Sequence, residues 1–218
     1  MRLGILGGTF DPIHLGHLRV AEEMGEDLEL EKVYLIPAAI PPHKERRPIT
    51  PFSHRLKMIE LAVRESPILE VLDLEGRRQG LSYSIETLQQ FHQLFGSELD
   101  LYFILGIDAF LEIETWKDYR RLFDYAHFVV IQRPGVSAVQ LKPFLTSLGL
   151  DPKEEDQEDR FVFPSGHSLI YLAPTLMDIS STAIRKKASG GKSIRFLVPD
   201  AVRSYIIKNE LLGIHGGS

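Results

Sequence analysis

No part of this chain restricts its fold more than the stretch 1–18. Leu3-Gly4-Ile5-Leu6 is a short apolar run that ends at Gly7-Gly8. A polar turn around Pro12 follows, and His14 and His17, three residues apart, introduce an amphipathic stretch from about Leu18. An apolar run bounded by glycine and too short for a helix suits a buried parallel strand covered by helices on both faces. The order is therefore strand, loop, helix start. Gly7 and Gly8 let the backbone approach a ligand where a side chain would collide. The helix beyond them presents unpaired N–H groups and the positive end of its dipole to the same place, which favours a phosphate. The spacing is neither Gly-x-Gly-x-x-Gly nor a Walker loop, so a different phosphate site is implied.

The rest of the chain alternates in the same way. A helix is expected over 18–28 and a buried strand over 33–36, completing a βαβ unit that crosses over right-handedly. Pro41-Pro42-His43-Lys44-Glu45-Arg46-Arg47-Pro48 is a proline-punctuated basic loop that should project from the scaffold. Helical spacing appears over 52–65 and again over 84–95, with Ile85, Leu88, Phe91 and Phe95 on one side and Ser82 and Ser84 where an N-cap is wanted. Strands are expected over 69–74, 101–106, 128–131 and 170–172. Gly106-Ile107-Asp108 ends one of them, where ligands collect in open α/β sheets. There Asp108 can cap the next helix or accept from a ribose. A helix over 136–148 is poorly bounded because of Pro143, and the highly charged run 151–160 reads as a solvated excursion. Ser180 or Ser181 can cap a helix carrying Thr182, Ile184 and Arg185, a second anion-binding arrangement facing the first. Ser189 to Ser193 mimics the end of a Walker loop, but Lys186 stands at the earlier glycine position and a helix precedes it. A terminal helix is expected over 201–209.

At 218 residues the chain fits one domain spanning 1–218. This predicts an α/β fold of the Rossmann-like, doubly wound kind, a mainly parallel sheet with helices on both faces. A net charge of -5 argues against a generally basic nucleic-acid-binding surface. The absence of cysteine removes disulfides and thiolate nucleophiles. With no signal-peptide pattern after Met1-Arg2 and no apolar run of membrane-spanning length, the expected location is cytoplasmic. His14 and His17 could also ligate a metal, yet no cysteine or neighbouring acidic cluster completes a zinc set.

Gly7-Gly8-Thr9-Phe10-Asp11-Pro12-Ile13-His14-Leu15-Gly16-His17 resembles the signature of the nucleotidyltransferase superfamily. Ile179-Ser180-Ser181-Thr182-Ala183-Ile184-Arg185 is similar to that signature's usual companion. Pro41 to Lys44, Ser82-Tyr83-Ser84 with Thr87-Leu88, Gly106-Ile107-Asp108 and Thr115-Trp116-Lys117 look like the bacterial nicotinate mononucleotide adenylyltransferase family. The likeness runs from Leu3 to about Tyr205.

The resemblance implies transfer of the adenylyl group of ATP to nicotinate mononucleotide, releasing pyrophosphate, in NAD biosynthesis. His14, His17 and Arg185 would stabilise charge on the leaving pyrophosphate. Gly8, Thr9, Phe10, Gly106, Asp108, Ile179 and Thr182 would position ATP, with Mg²⁺ accompanying its triphosphate. It puts Lys44 and Arg133 near the acceptor phosphate and Trp116 against the pyridine ring. Ser84, Thr87 and the Trp116-Lys117 backbone fall near the carboxylate. Family members often carry Thr at the Ser84 position and Tyr at Lys117. Two rivals stand beside this reading. One is another small-acceptor nucleotidyltransferase, such as one acting on pantetheine phosphate, which does not explain Trp116. The other is a nucleotide-binding protein without catalysis, against which both histidines and Arg185 argue.

Overall fold

The computed structural model describes residues 1–41, 48–96, 98–132, 141–150, 152–154, 159–175 and 177–214. In chain order these form β1 (Arg2–Gly8), α1 (Leu15–Asp27), β2 (Lys32–Pro37), α2 (Phe52–Val63) and β3 (Leu69–Val71). Next come α3 (Ser84–Phe95), β4 (Asp100–Gly106), α4 (Ile107–Leu111), α5 (Tyr119–Leu122), β5 (His127–Ile131) and α6 (Leu141–Ser147). The chain continues with β6 (Lys153–Glu154), β7 (Arg160–Val162), β8 (Ser168–Leu172), α7 (Ser181–Ser189) and α8 (Asp200–Lys208).

The strands lie side by side in the order β3-β2-β1-β4-β5-β8-β7-β6. Pairing is parallel from β3 through β8, and β7 and β6 then add antiparallel. From β1 the chain builds outward first to β2 and β3, then to β4, β5 and β8 on the other side, so β1 and β4 flank the point where the direction of winding reverses. This is the doubly wound, mainly parallel sheet expected from the sequence.

Register makes that reversal a crevice. The β1–β4 ladder ends at the pair Leu6 and Ile104. Beyond it Gly7 and Gly8 pair only outward, with Ile36 and Pro37 of β2. Leu105 and Gly106 likewise pair outward, with Val130 and Ile131 of β5. The two central strands part at their carboxyl ends, where open α/β sheets bind ligands.

Alternation along the strands feeds two apolar layers. Leu3, Ile5, Leu101, Phe103, Phe128 and Val130 face one side, against Ile85, Leu88 and Phe91 of α3 and Phe110 of α4. Leu6, Val33, Leu35, Ile104 and Val129 face the other, against Met24 of α1, Met58 and Ile59 of α2, Ile184 of α7 and Val202 of α8. Among the described residues no helix is long and apolar enough to cross a membrane.

Several elements differ from the sequence expectation. α1 begins at Leu15 rather than near Leu18, which turns His14 into its N-cap. β3 stops at Val71, where its ladder with Leu35 ends. Within the charged run 151–160, Lys153–Glu154 forms β6 and Arg160 opens β7; Phe161, 3 % exposed, anchors that hairpin through its pairing with Leu169. Pro143 falls in the first turn of α6, where the missing N–H has no helical partner to lose.

Candidate active site

α1 opens with a reciprocal capping box built from two imidazoles. His14 Nδ1 accepts from the His17 backbone N–H at 3.3 Å, and His17 Nδ1 accepts from the His14 backbone N–H at the same distance. Their rings stack with centroids 3.6 Å apart. Because Nδ1 is the acceptor in both rings, each neutral imidazole carries its proton on Nε2, which is thereby left as a donor. His14 is 5 % exposed, and burial pushes its pKa down from 6.5 to about 4, so at neutral pH it donates without charge. Gly16 makes the fold-back possible. A methyl group there would lie 3.2 Å from His14 Nδ1 and 3.3 Å from Cε1.

The loop between β1 and α1 is shaped from inside the chain. Phe10, with a φ of 48°, is 2 % exposed, and its ring sits 3.0 to 3.2 Å from where a Cβ on Gly8 would be. Glycine at position 8 therefore answers to Phe10, in addition to any ligand, while nothing but Phe103 at 3.8 Å approaches a Cβ built on Gly7. The Phe10 ring also meets His17 edge-on, with centroids 5.1 Å apart. Any contact of Phe10 with a nucleotide thus falls to its backbone.

α7 supplies the second helix start. Ser180 is its cap, accepting from the Ala183 N–H at 3.2 Å, and Ser181 Oγ donates to Pro12 O at 2.9 Å, which fixes α7 against the β1–α1 loop. Arg185 Nη1 donates to Asp11 O at 2.6 Å and lies 3.9 Å from Asp11 Oδ2, and Nη2 donates to Thr182 Oγ1 at 2.9 Å. A cavity of about 580 Å³ opens beside Arg185, between Thr182, Ile49, Thr50 and Leu211. Ile179 is half-buried just before the cap. His14, His17, Gly8, Thr9, Phe10, Thr182 and Arg185 are thus joined through one loop and two helix N-termini. Gly106 borders the same crevice from β4, and among the described residues none but its chain neighbours comes within 4 Å of where its Cβ would be. Asp108 is exposed in the first turn of α4, whose N-cap is Gly106, so it does not cap that helix.

The second cluster of expected residues gathers at the start of α3. Lys117 Nζ pairs with Glu86 Oε1 at 2.8 Å and sits 4.6 Å from the centre of the Tyr83 ring. Trp116 is half-buried and packs T-shaped with Phe103, centroids 6.2 Å apart. Its backbone N–H donates to Ile113 O at 2.9 Å, a bond that the expected carboxylate contact would have to share. Ser84 is the first residue of α3. Neither serine caps it: Tyr83 is the N-cap, without a side-chain bond, and Ser82 Oγ instead accepts from Ala39 N–H and Ile40 N–H at 2.9 and 3.2 Å. Thr87, 2 % exposed, donates to Glu75 Oε1 at 2.7 Å and accepts from Arg78 Nη2 at 2.8 Å, so its hydroxyl is engaged in a buried network beneath Ser84. Lys44 and Arg133, expected at the acceptor phosphate, lie outside the described residues, as do Arg46 and Arg47.

Sequence reasoning missed Arg55, which reads as one more polar position on an amphipathic helix yet is 1 % exposed. The sole available signal was a cation on the buried side of that helix, beside Met58 and Ile59. Among the described residues no group of three or more His, Cys, Asp or Glu side chains could hold a metal ion.

Comparison with known proteins bears on this geometry. The cytidylyltransferase-like family model matches residues 5–187. A probable nicotinate-nucleotide adenylyltransferase of Geotalea daltonii is 44% identical over 97% of this chain and 98% of that protein. Its counterpart in Desulfatibacillum aliphaticivorans is 43% identical over 97% and 99%. Among solved structures, nicotinic acid mononucleotide adenylyltransferase of Plasmodium falciparum, complexed with NaAD, superposes with a TM-score of 0.74. It covers 98% of each chain at 22% identity, a likeness of fold.

Proposed function

The chain belongs to the nicotinate-nucleotide adenylyltransferase family, within the cytidylyltransferase-like group, and from that premise we propose how its residues carry the reaction. The enzyme transfers the adenylyl group of ATP to nicotinate mononucleotide, forming nicotinate adenine dinucleotide and pyrophosphate in NAD biosynthesis. An oxygen of the acceptor phosphate forms a bond to the α-phosphorus of ATP. The bond from that phosphorus to the bridging oxygen breaks, and its electron pair leaves with pyrophosphate. The attacking oxygen is already ionised, so no general base or covalent intermediate is required. Catalysis consists of alignment and of charge neutralisation on the leaving group.

One observation carries the assignment of residues: two stacked, mutually capped histidines and Arg185 meet on one loop at the crevice between β1 and β4. The Nε2–H donors of His14 and His17, the guanidinium of Arg185 and the N-termini of α1 and α7 would receive the triphosphate. Gly8, Thr9, Phe10 and Thr182 shape that pocket, and Gly106, Asp108 and Ile179 border the nucleoside. On the acceptor side Trp116 would stack on the ring, with Ser84 and Lys117 at the carboxylate and Lys44 and Arg133 at the phosphate. Thr87 would act through Glu75 and Arg78, which hold the start of α3. Mg²⁺ would enter with the triphosphate, held by phosphate oxygens and water and relieving their negative charge. Placement of all eight strands of the described residues in one sheet supports a single domain from 1 to 218. We further infer a cytoplasmic location, which cell fractionation tests.

The test is a panel of nucleotides and phosphorylated acceptors assayed for pyrophosphate release. ATP with nicotinate mononucleotide should give the highest kcat/KM. A higher value with pantetheine phosphate, or release with no acceptor tried, would overturn the reading.

A further inference from the structure

Arg55 lies on α2, in none of the motifs that mark the nucleotide loop, and its guanidinium is directed at backbone carbonyls. Nε donates to Thr50 O at 2.8 Å, Nη1 to Thr9 O and Ala38 O at 2.8 Å each, and Nη2 to Ala39 O at 3.2 Å. Burial pushes its pKa down, and the negative charges of Asp11 and Glu75 oppose that shift. A buried cation is a costly anchor for a helix, and an apolar side chain can fill such space at less cost. What an apolar side chain cannot do is join carbonyls from three separate segments. Thr9 belongs to the loop after β1 that would hold ATP. Ala38 and Ala39 follow directly on β2 and lead into the segment carrying Lys44, and Thr50 stands at that segment's far end. The same near stem is clasped from the opposite direction by Ser82, whose Oγ takes the N–H groups of Ala39 and Ile40 and whose N–H donates to Ile40 O at 3.0 Å. Among the described residues no bond links Ser82 to the ATP loop.

We propose that Arg55 is a positioning residue that fastens the ATP loop to the chain on both sides of the segment 42–47, at Ala38–Ala39 and at Thr50, so that one guanidinium sets the two substrates in register. This rests on the adenylyl-transfer reading, and pyrophosphate release by the wild-type enzyme establishes that reading before any variant is compared. Lysine at position 55 keeps the charge but not the planar fork, and a single ammonium cannot reach carbonyls on both sides. Arg55→Lys should raise KM for ATP and for nicotinate mononucleotide together, each by about tenfold or more, the scale of a lost charge-assisted hydrogen bond. Ser82→Ala should raise the acceptor KM alone. Guanidinium chloride at low millimolar concentration should restore part of the lost kcat/KM to Arg55→Ala and none to Ser82→Ala. Urea unfolding of each variant runs alongside. Wild-type KM values in a folded Arg55→Lys would overturn the proposal, as would a rise confined to one substrate. Failure of both Arg55 variants to fold would assign the guanidinium to stability instead and overturn it equally.

Discussion

His14 should make the protein acid-sensitive by an amount that can be worked out. Its imidazole is held neutral in the folded chain, with a pKa of about 4 against 6.5 without burial. Well above pH 6.5 both states are neutral and the residue contributes no pH dependence. As pH falls from there, the unfolded chain binds a proton that the folded site refuses, so stability is lost. With those two values the loss is on the order of 2 kcal/mol at pH 5 and ~3 kcal/mol at pH 4, where it begins to level off. His127 is also lowered to about 4, by burial first, with Asp100 pulling it back up, so wild-type data alone mix the two. His14→Asn separates them, because asparagine caps a helix well and does not titrate in this range. Urea unfolding of both proteins at pH 7 and pH 5 gives the assay. The wild type should lose about 2 kcal/mol more than the variant over that interval. Equal losses would refute the reasoning, as would an imidazole resonance of His14 that titrates near 6.5. A neutral donor at neutral pH is also what the proposed chemistry needs, because it stabilises charge as it develops without pre-binding as a cation.

Other substitutions test the remaining parts of the site. His17→Ala should keep its fold and lose turnover by roughly 10² to 10³-fold, the range for one preorganised donor to developing charge, read by single-turnover kinetics. Arg185→Lys cannot bridge Asp11 O and Thr182 Oγ1 at once, so the ATP-dependent rate should fall roughly tenfold or more; an unchanged rate would make Arg185 a surface cation. Gly16→Ala should push the His14 ring from its seat, lowering stability by about 1 kcal/mol through the weakened cap, measured by thermal unfolding. Trp116→Ala should weaken nicotinate and nicotinamide nucleotides alike while leaving their kcat/KM ratio much less affected, because stacking does not sense the carboxylate.

The sequence made the parallel sheet legible because β1, β2, β4 and β5 are apolar on both faces, and such runs stand out without periodicity. His14, His17 and Arg185 stood out as a group for a different reason: the histidines open α1 and Arg185 lies one turn into the Ser180-capped α7, and helix starts carry a local sequence signature. Long-range hydrogen bonds left no such trace. Ser82 looked like a cap because it precedes α3 by two residues, yet its partners Ala39 and Ile40 are more than forty positions away. Arg55 was hidden similarly, since its acceptors are backbone carbonyls that no residue type advertises. The β6–β7 hairpin was masked by charge, with Phe161 as its only fully buried apolar residue among those described. Gly8 was read as a place where a ligand could approach the backbone, whereas the group found against it is the ring of Phe10 of the chain itself.

Among the described residues the sheet's two outer strands, β3 and β6, span three and two residues. Unpaired strand edges are templates for further strands, and short ones are a common defence against that. A second chain adding here would gain only two or three rungs before the ladder ran out. Self-association through continued β-pairing is therefore disfavoured at both ends of the folded sheet. Any assembly of copies would have to be built from helix and loop surfaces, which can diverge in sequence without disturbing the strand register that keeps the crevice open.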